Sequence, residues 1–390
     1  MTIKKVVLRG PILTQSGYGV HCRQVAKWLM QRPDVDLKII ATPWGSTPWH
    51  VNSESCNGFI NEIMKRTISP NNVNADISFQ LQLPNEWTPN LVLGKNIGLT
   101  AAVETDICSP LWAQACNTMD AVVVPSQHAK QCLTNSGTIV KPLYVIPEAY
   151  NEAITTVDSQ TDLFNFKTSF NFLLFGQLTG NNPNNDRKNM FNTVKWICES
   201  FKDDPDVGIV IKTNLGTNSK IDRNIVTSML KTLLTEVRKS QYPKVYLLHG
   251  DMDDETVASL YKNKQIKALI ALTRGEGFGL PILEAAASGL PIVATGWSGH
   301  LDYLKLGKFI NIYYQLDEVH KSRIDGNIFI KGARWANASE EDFKKRITKF
   351  RTNNTIPFEW AADLQKKIVE SYSIEAVCKL YDSSLGELFT

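Results

Sequence analysis

Short apolar runs alternate along this chain with polar or mixed segments. Runs rich in Val, Ile, Leu and Phe are typical of strands buried on both faces of a parallel sheet. Several of the intervening segments have the spacing of amphipathic helices, so the alternation predicts an α/β chain with doubly wound parallel sheets. The predicted strands are 5–9, 37–42, 75–81, 96–100, 121–124, 144–146, 170–176, 207–213, 245–250, 268–272 and a further run just after Gly289.

The stretch 268–295 shows the repeating unit most clearly. An apolar strand leads into a glycine-rich turn, Pro281 occupies the first predicted helical position, and Gly289 ends the helix before a second apolar strand. A glycine-rich turn lets the backbone approach a ligand closely, and the N–H groups at the start of a helix attract anions. A diphosphate would therefore fit at this turn, whose glycines are Gly275, Gly277 and Gly279.

Two carboxylates flank this turn. Glu276 lies in the turn and Glu284 is predicted in the first helical turn, both near the carboxyl ends of the strands, where open α/β sheets bind ligands. Carboxylates accept hydrogen bonds from pairs of sugar hydroxyls. The alternative is an ordinary tight turn with a glutamate favoured by the helix dipole. The surrounding Gly277, Gly279 and Pro281 favour the binding site.

The segment Glu276-Gly-Phe-Gly-Leu-Pro-Ile-Leu-Glu284 resembles the E-x7-E signature of retaining glycosyltransferases of family 4, the glycosyl transferases group 1. The resemblance implies a GT-B fold, with two Rossmann-like doubly wound domains facing a central cleft and a C-terminal helix crossing back to the N-terminal domain. It also implies that Glu276 contacts the donor sugar as a catalytic residue and that Glu284 holds the nucleotide ribose. The other implied donor-binding residues of the motif are Gly277, Phe278, Gly279 and Leu280.

A second glycine-rich loop, Ser16-Gly-Tyr-Gly-Val-His21, follows the first predicted strand and precedes a helix. In the resembling family, a loop here closes over the donor phosphates and the acceptor. Gly17 and Gly19 are the matching donor-side residues and His21 is a candidate acceptor contact. A flexible turn without a binding role is the alternative.

The loop 177–188, between a strand and the helix predicted at 189–201, is expected to supply positive charge. Relatives carry an Arg directly after the strand's glycine and a Lys at the next helix. Lys188 matches the Lys, whereas Gln177 occupies the Arg position. Arg187 is the candidate replacement because a guanidinium can bind phosphate through two hydrogen bonds. The alternative, an exposed basic pair at a helix start, is disfavoured by the helix dipole. Lys212, at the end of a strand, is a further donor-binding candidate.

The acceptor candidates lie in the N-terminal half. Glu104 follows a predicted strand and is the best acceptor-side carboxylate, with a base or orienting role; the alternative is that Thr105 or Asp106 caps the next helix and leaves Glu104 a solvated neighbour. Trp44 and Trp49 lie in an aperiodic, proline-containing segment. They are stacking surfaces for an acceptor or, as we favour, loop anchors.

Domain limits follow from the pattern. Residues 148–169 are polar and aperiodic and are expected to contain the interdomain linker, whereas residues 311–356 show no clear pattern. The basic cluster at 344–346 most simply forms a solvated helix face rather than a polyanion surface. The final helical stretch, 361–388, is expected to break at 371–373. The predicted domains are 1–160 (acceptor-binding), 161–372 (nucleotide-sugar-binding) and 373–390 (C-terminal helix on the N-terminal domain).

Composition narrows the protein class. The formal net charge is +3, too small to indicate a polyanion partner, and the seven cysteines show neither C-x-x-C spacing nor a histidine cluster, which fits a reducing compartment. No apolar run approaches a membrane span, and the first is too short for a signal peptide. We expect a cytoplasmic protein, in the host cytoplasm if the source is viral. The Asp-x-Asp at 251–253 is predicted to cap a helix rather than bind a metal, and the resemblance implies that no divalent metal is needed to hold the donor. No cofactor is expected.

The expected activity is metal-independent transfer of a hexosyl or pentosyl group, with retention, from a UDP- or GDP-sugar to a hydroxyl of a glycan or small molecule. The opening stretch 8–19 also resembles glycosyltransferases of tailed bacteriophages, some of which modify their own genomes, so a hydroxymethylcytosine base in DNA is an alternative acceptor. Two further alternatives are a non-catalytic nucleotide-sugar sensor, suggested by Gln177, and an epimerase acting on the nucleotide sugar itself.

Overall fold

The computed structural model describes residues 3–157, 163–178 and 182–389. The chain divides into two compact units. Unit 1 comprises Met1–Ala149, Gly326–Ile330 and Tyr372–Thr390, and unit 2 comprises Tyr150–Asp325 and Lys331–Ser371.

Unit 1 is built on a six-stranded parallel sheet with the strand order β2-β1-β3-β4-β5-β6. Its central strands are buried on both faces, which explains their nearly continuous apolar sequences. The strands are β1 (Lys4–Gly10), β2 (Val35–Ala41), β3 (Ile77–Leu81), β4 (Lys95–Leu99), β5 (Ala121–Val124) and β6 (Leu143–Val145). The helices are α1 (Gly17–Gln31), α2 (Phe59–Arg66), α3 (Pro110–Cys116), α4 (Gln127–Ser136) and, from the end of the chain, α13 (Ile374–Leu385).

Unit 2 contains a second parallel sheet of six strands, ordered β12-β11-β10-β7-β8-β9. The predicted α/β architecture with two doubly wound sheets is confirmed. The strands are β7 (Phe170–Phe175), β8 (Val207–Thr213), β9 (Lys244–His249), β10 (Ile266–Ala271), β11 (Ile292–Thr295) and β12 (Ile310–Ile312). The helices are α5 (Ala153–Thr156), α6 (Met190–Ser200), α7 (Lys220–Val237), α8 (Asp254–Tyr261), α9 (Leu280–Ser288), α10 (Leu301–Leu304), α11 (Glu340–Thr352) and α12 (Thr355–Ser371).

An antiparallel hairpin, β13 (Tyr314–Glu318) with β14 (Arg334–Ala338), was not predicted. It lies in the stretch that showed no clear pattern. Its first strand is largely exposed and polar, so it lacks the apolar run that marks the sheet strands. Trp335 is its main buried side chain, at 2% exposure.

The end of the chain behaves as predicted. The final helical stretch breaks after Ser371, and Ser373 caps α13 by accepting a hydrogen bond from the Ala376 N–H. α13 packs on α1 within unit 1, where Tyr381 stacks on Trp28 with ring centroids 4.7 Å apart and Trp28 Nε1 donates to Asp382 at 2.9 Å. The expected return of the C-terminal helix to the N-terminal domain is confirmed.

Two other predicted segments have a clear placement. The basic cluster lies on α11, where Lys344 pairs with Glu199 and Glu340, and Arg346 pairs with Asp342. These charges are neutralised locally, as a solvated helix face requires. The expected linker contains α5 and the residues 158–162, which lie outside the described residues. None of the helices within the described ranges is long and apolar enough to cross a membrane.

We predict that Tyr381→Ala lowers the free energy of unfolding by about 3–5 kcal/mol, because it removes a fully buried aromatic ring from the α1–α13 contact. Denaturant unfolding measures this loss. Leu380→Ala, at a neighbouring position that is 41% exposed, is the matched control and should change stability by about 0.5 kcal/mol or less. Equal losses in both variants would contradict the packing role.

Candidate functional site

Glu276 is the centre of the polar cluster in unit 2. It lies in the turn between β10 and α9 and is only 6% exposed. Its carboxylate accepts hydrogen bonds from Lys188 Nζ at 2.6 Å and from Arg187 Nη1 at 3.4 Å. Burial alone would raise the pKa of this carboxyl, but the two cations outweigh it and lower the pKa to about 2. Glu276 is therefore ionised at neutral pH.

The two cations come from the segment that precedes α6. Arg187 and Lys188 remain 24% and 25% exposed, so both can still meet a ligand. Arg187 Nη1 also donates to the Gly275 carbonyl at 2.8 Å. Gln177 is exposed, and residues 179–181 of the predicted loop lie outside the described residues. The structure thus gathers Arg187, Lys188 and Glu276, whereas their contact with a diphosphate stays a prediction.

Arg274 supports this basic segment and was missed in the sequence. It is buried and donates from Nε to the Asp186 carbonyl and from Nη2 to the Pro183 carbonyl, both at 3.1 Å. Its guanidinium lies 5.3 Å from the ring centroid of Trp335 on the hairpin. Asp186 accepts a hydrogen bond from the Phe191 N–H and so caps α6, and burial raises the pKa of its carboxyl. Arg274 therefore fixes the loop that carries the two cations.

The turn after β11 holds the Glu276 loop from another direction. The Glu276 N–H donates to Ser298 Oγ at 2.9 Å, and the Gly299 N–H donates to the Glu276 carbonyl at 2.9 Å. Tyr303 donates to the Gly279 carbonyl at 2.8 Å. Gly299 is required by the close approach, because a Cβ there would lie 2.2 Å from the Gly277 carbonyl oxygen.

Glu284 is placed differently from the prediction. α9 begins at Leu280, so Pro281 is its second residue and Glu284 lies in the second helical turn, not the first. Its carboxylate accepts a hydrogen bond from the Tyr261 hydroxyl at 3.0 Å. Burial raises the pKa of Glu284 to about 8, although the Tyr261 hydrogen bond opposes this. Glu284 is therefore largely protonated at pH 7.

Two of the other residues predicted to bind the donor, Phe278 and Lys212, have buried side chains. Phe278 is 3% exposed and its ring packs edge-on against Tyr303, so its side chain is part of the core. Lys212 is also buried, and its Nζ donates to the Gly250 carbonyl at 2.6 Å and to Asn214 at 2.8 Å. Burial lowers the pKa of Lys212 to about 8. Donor contacts by Lys212 and by the loop residues Gly277, Gly279 and Leu280 stay predictions.

The Asp-x-Asp sequence does cap a helix, as predicted. Asp253 accepts a hydrogen bond from the Thr256 N–H at 2.7 Å at the start of α8. Within the described ranges, no group of three or more His, Cys, Asp or Glu side chains is arranged to hold a metal ion.

The glycine-rich loop of unit 1 leads directly into α1, where Ser16 is the N-cap and accepts a hydrogen bond from the Gly19 N–H at 3.0 Å. Gly17 is exposed, and a Cβ there would meet open space. Gly19 is buried, and a Cβ there would lie 2.1 Å from the Thr14 carbonyl oxygen. Of these two predicted donor contacts, only Gly17 is open to a ligand.

His21 is packed inside unit 1. It is 2% exposed, its Nε2 lies 3.2 Å from the Tyr381 hydroxyl, and its Nδ1 lies 3.9 Å from Glu148 Oε1. Burial lowers the pKa of His21 to about 4, so the imidazole is neutral at pH 7. This burial argues against direct contact of His21 with an acceptor.

The two tryptophans have different surroundings. Trp44 stacks on Tyr18 with ring centroids 4.0 Å apart, which is the loop-anchor arrangement that the sequence favoured. Tyr18 in turn accepts a hydrogen bond from the Ala101 N–H at 3.0 Å beyond β4. Trp49 is 38% exposed, so its ring offers a surface for stacking.

Glu104 lies in the irregular segment between β4 and α3 and is partly exposed. The alternative explanation, that Thr105 or Asp106 caps the next helix, is wrong. α3 begins at Pro110 with Ser109 at the N-cap position, and Thr105 Oγ1 donates instead to the Ile107 carbonyl at 2.8 Å. An acceptor role for Glu104 stays a prediction.

Residues 227–370 match the family model described as Glycosyl transferases group 1. The matched range includes Glu276, Glu284 and the turn after β11 but not Arg187 or Lys188. Comparison with curated proteins finds no match.

Solved structures show similarity over almost the whole chain. Anabaena HepE in complex with UDP and glucose is 12% identical, with a TM-score of 0.65 over 98% of this chain and 100% of that one. Sucrose-phosphate synthase from Thermosynechococcus elongatus is 12% identical, with a TM-score of 0.63 and 99% of both chains covered. The N-terminal domain of Candida albicans trehalose-6-phosphate phosphatase is 9% identical, with a TM-score of 0.61 and coverages of 99% and 97%. At such low identity these likenesses show the fold alone. The chain has the GT-B fold, and the domain match together with this fold supports a GT-B glycosyltransferase.

Proposed function

We propose that the protein transfers a sugar, with retention of configuration, from a nucleoside diphosphate sugar to a hydroxyl acceptor. The observation that carries this proposal is the buried Glu276 carboxylate held by Lys188 and Arg187 beside the start of α9. Two cations and a helix N-terminus are preorganised to stabilise the charge that develops on a departing diphosphate. UDP-glucose is the first donor to test, because HepE was solved with UDP and glucose.

Lys188 and Arg187 both donate hydrogen bonds to the Glu276 carboxylate. The donor diphosphate offers Lys188 and Arg187 a doubly charged partner, and Glu276 is then released to accept hydrogen bonds from the sugar hydroxyls. Glu284 accepts hydrogen bonds from the ribose hydroxyls. Because both oxygens of its carboxylate are then needed as acceptors, ribose binding favours loss of the proton that Glu284 carries at pH 7.

Transfer itself needs no covalent nucleophile. The acceptor oxygen forms a bond to the anomeric carbon on the face from which the diphosphate leaves, as the bond from that carbon to the phosphate oxygen breaks. The acceptor proton passes to the leaving phosphate oxygen. Lys188 and Arg187 replace a divalent metal as counterions of the leaving group, and Glu104 orients the acceptor hydroxyl.

The charge of unit 1 favours an uncharged acceptor over DNA. Unit 1, which shares residues 1–149 with the predicted acceptor-binding domain 1–160, contains thirteen Lys and Arg residues and thirteen Asp and Glu residues. Its formal net charge is therefore zero, and the +3 of the whole chain belongs to unit 2. Duplex DNA binding depends on neutralising phosphates with cations, whereas a glycan is bound through hydroxyls and stacking on an exposed aromatic ring such as Trp49.

We predict that Glu284→Ala weakens UDP binding by about 1.5–3 kcal/mol, because it removes hydrogen bonds to a charged group. Glu276→Ala should mainly lower turnover and should not weaken UDP binding, since UDP has no sugar beyond its diphosphate and that diphosphate no longer competes with the carboxylate for Lys188 and Arg187. Calorimetric titration of both variants with UDP, together with steady-state kinetics, measures the two effects. Unchanged UDP affinity in Glu284→Ala would contradict the assignment of Glu284 as the ribose-binding residue.

The raised pKa of Glu284 supplies a control for this assignment. Below about pH 8 the carboxyl takes up a proton, so UDP affinity of the parent should weaken as the pH is lowered from 9 to 7. Glu284→Gln cannot titrate and should lack this dependence. The same slope in parent and variant would assign the pH effect to another group.

We predict that Arg187→Ala reduces turnover about 100-fold or more and that Gln177→Arg in that background partly restores it, because the lost cation is returned to the same loop. Arg346→Ala, which removes an exposed arginine of α11, is the matched control and should keep parent turnover. EDTA should leave the turnover of each protein unchanged. Full activity in Arg187→Ala would show that its charge is irrelevant, and complete loss on chelation would overturn the metal-free mechanism.

The acceptor class is decided by incubating the protein with UDP- and GDP-sugars and either a glycan mixture or hydroxymethylcytosine DNA, then measuring added mass. We predict sugar on the glycan, with little dependence on salt. A DNA acceptor would instead give duplex binding that weakens steeply with salt, at a log–log slope of about −0.9 per phosphate neutralised. Transfer of sugar to the DNA would contradict the proposal that the acceptor is a glycan. If no nucleotide sugar is turned over, the alternative of a non-catalytic nucleotide-sugar sensor is favoured.

A further inference from the structure

Ser298 has a backbone conformation that its side chain disfavours. Its φ is +88°, in the left-handed region that a residue with a Cβ rarely adopts. Such conformations are energetically costly and persist where surrounding contacts hold them, often at functional sites. Ser298 is 6% exposed, and its hydroxyl oxygen accepts a hydrogen bond from the Glu276 N–H. The contacts of its hydroxyl therefore need an explanation.

These contacts form a hydrogen-bond relay that joins Thr295, His300, Ser298 and Glu276, and the donor and acceptor of each bond in it can be assigned. His300 Nε2 lies 2.8 Å from the Thr295 carbonyl, which can only accept, so Nε2 carries the proton. His300 is fully buried, and burial lowers its pKa, so the ring is neutral and its Nδ1 is an acceptor. Nδ1 lies 3.3 Å from Ser298 Oγ and thus accepts the hydroxyl proton. The Ser298 oxygen is left to accept the Glu276 N–H, at 2.9 Å.

The relay matters because Glu276 is held from two sides. Lys188 and Arg187 hold its carboxylate, while Ser298 holds its backbone. In the proposed reaction the diphosphate draws the two cations away from the carboxylate. The backbone contact does not involve a ligand and remains in place during this exchange.

We propose that Ser298 and His300 are positioning residues for Glu276: the Ser298 hydroxyl, oriented by His300, keeps the Glu276 backbone fixed while the cations transfer to the donor diphosphate. The effect on turnover rests on the proposed function, whereas the relay itself does not. A residue that only stabilised the fold would not separate turnover from nucleotide binding.

Two substitutions at Ser298 separate its hydroxyl from its strain. Ser298→Ala removes the hydroxyl and keeps a Cβ at positive φ, whereas Ser298→Gly removes both. Both should lower kcat about 10–100-fold through misplacement of Glu276, with UDP affinity within about twofold of the parent. Ser298→Gly should nevertheless be the more thermally stable of the two. Ser288→Ala on α9, whose hydroxyl donates to the Ala285 carbonyl of the same helix, is the control and should have the kcat and UDP affinity of the parent.

A pair of substitutions at His300 tests the direction of the relay. In His300→Asn, the side-chain oxygen can replace Nδ1 as the acceptor of the Ser298 hydroxyl. In His300→Gln, the side-chain NH2 group can replace Nε2 as the donor to the Thr295 carbonyl, but no acceptor orients Ser298. We expect higher kcat in His300→Asn than in His300→Gln. A higher kcat in His300→Gln than in His300→Asn would overturn the proposal. So would a kcat equal to that of the parent in Ser298→Ala or Ser298→Gly, or equal losses of kcat and UDP affinity in these variants.

Amide hydrogen exchange at Glu276 tests the relay without turnover. The N–H is protected by Ser298 in the parent, so exchange should accelerate at least about tenfold in Ser298→Ala, Ser298→Gly and His300→Gln and stay slow in Ser288→Ala. Parent-like protection in Ser298→Ala would overturn the relay. If the parent turns over no nucleotide sugar, the proposed function fails, and the exchange result alone decides whether the relay exists.

Discussion

The ionised Glu276 carboxylate inside unit 2 is the constraint on which the candidate site depends. A buried charge is costly unless opposite charges and hydrogen bonds compensate it. Lys188 and Arg187 provide that compensation, which is why the pKa of Glu276 falls although burial alone would raise it. The loop before α6 and the loop before α9 must therefore stay together, and Arg274 holds the first of them in place through two backbone carbonyls.

The same arrangement explains how a site built on ion pairs can bind an anion. Glu276 keeps both cations ordered, so less conformational freedom is lost when an anion binds. A diphosphate must then compete with a carboxylate for the cations, which lowers affinity. This competition also means that the Glu276 carboxylate can accept hydrogen bonds from the sugar only when the diphosphate has taken up the two cations. Under the proposed function, the ion pairs couple the two halves of the donor, and we expect a free sugar without a diphosphate to be a poor ligand.

Sequence patterns predicted the parts of the molecule that depend on local chemistry. Buried parallel strands are nearly continuous apolar runs, so eleven of the twelve strands in the two parallel sheets could be predicted. The three-residue β12 and the polar, exposed β13 left no such run and were missed. Glu276 and Lys188 could be identified by their places in a motif, but their direct contact joins residues far apart in sequence. Tyr261 and Arg274 act through such distant contacts, and nothing next to them in the chain signals it. Ser298, in the turn after β11, was not among the predicted site residues, although that turn follows the carboxyl end of a strand.

Ser298 shows how a local cost is offset by distant contacts. A glycine would adopt its φ of +88° without strain, and the chain has glycines close by at Gly296 and Gly299. A hydroxyl at this position accepts the Glu276 N–H and donates to His300, and each such hydrogen bond contributes about 0.5–1.5 kcal/mol. That gain is of the same size as the backbone strain, so the serine is close to neutral for stability. Its net effect is on geometry, because it fixes the backbone of the carboxylate on which both cations depend.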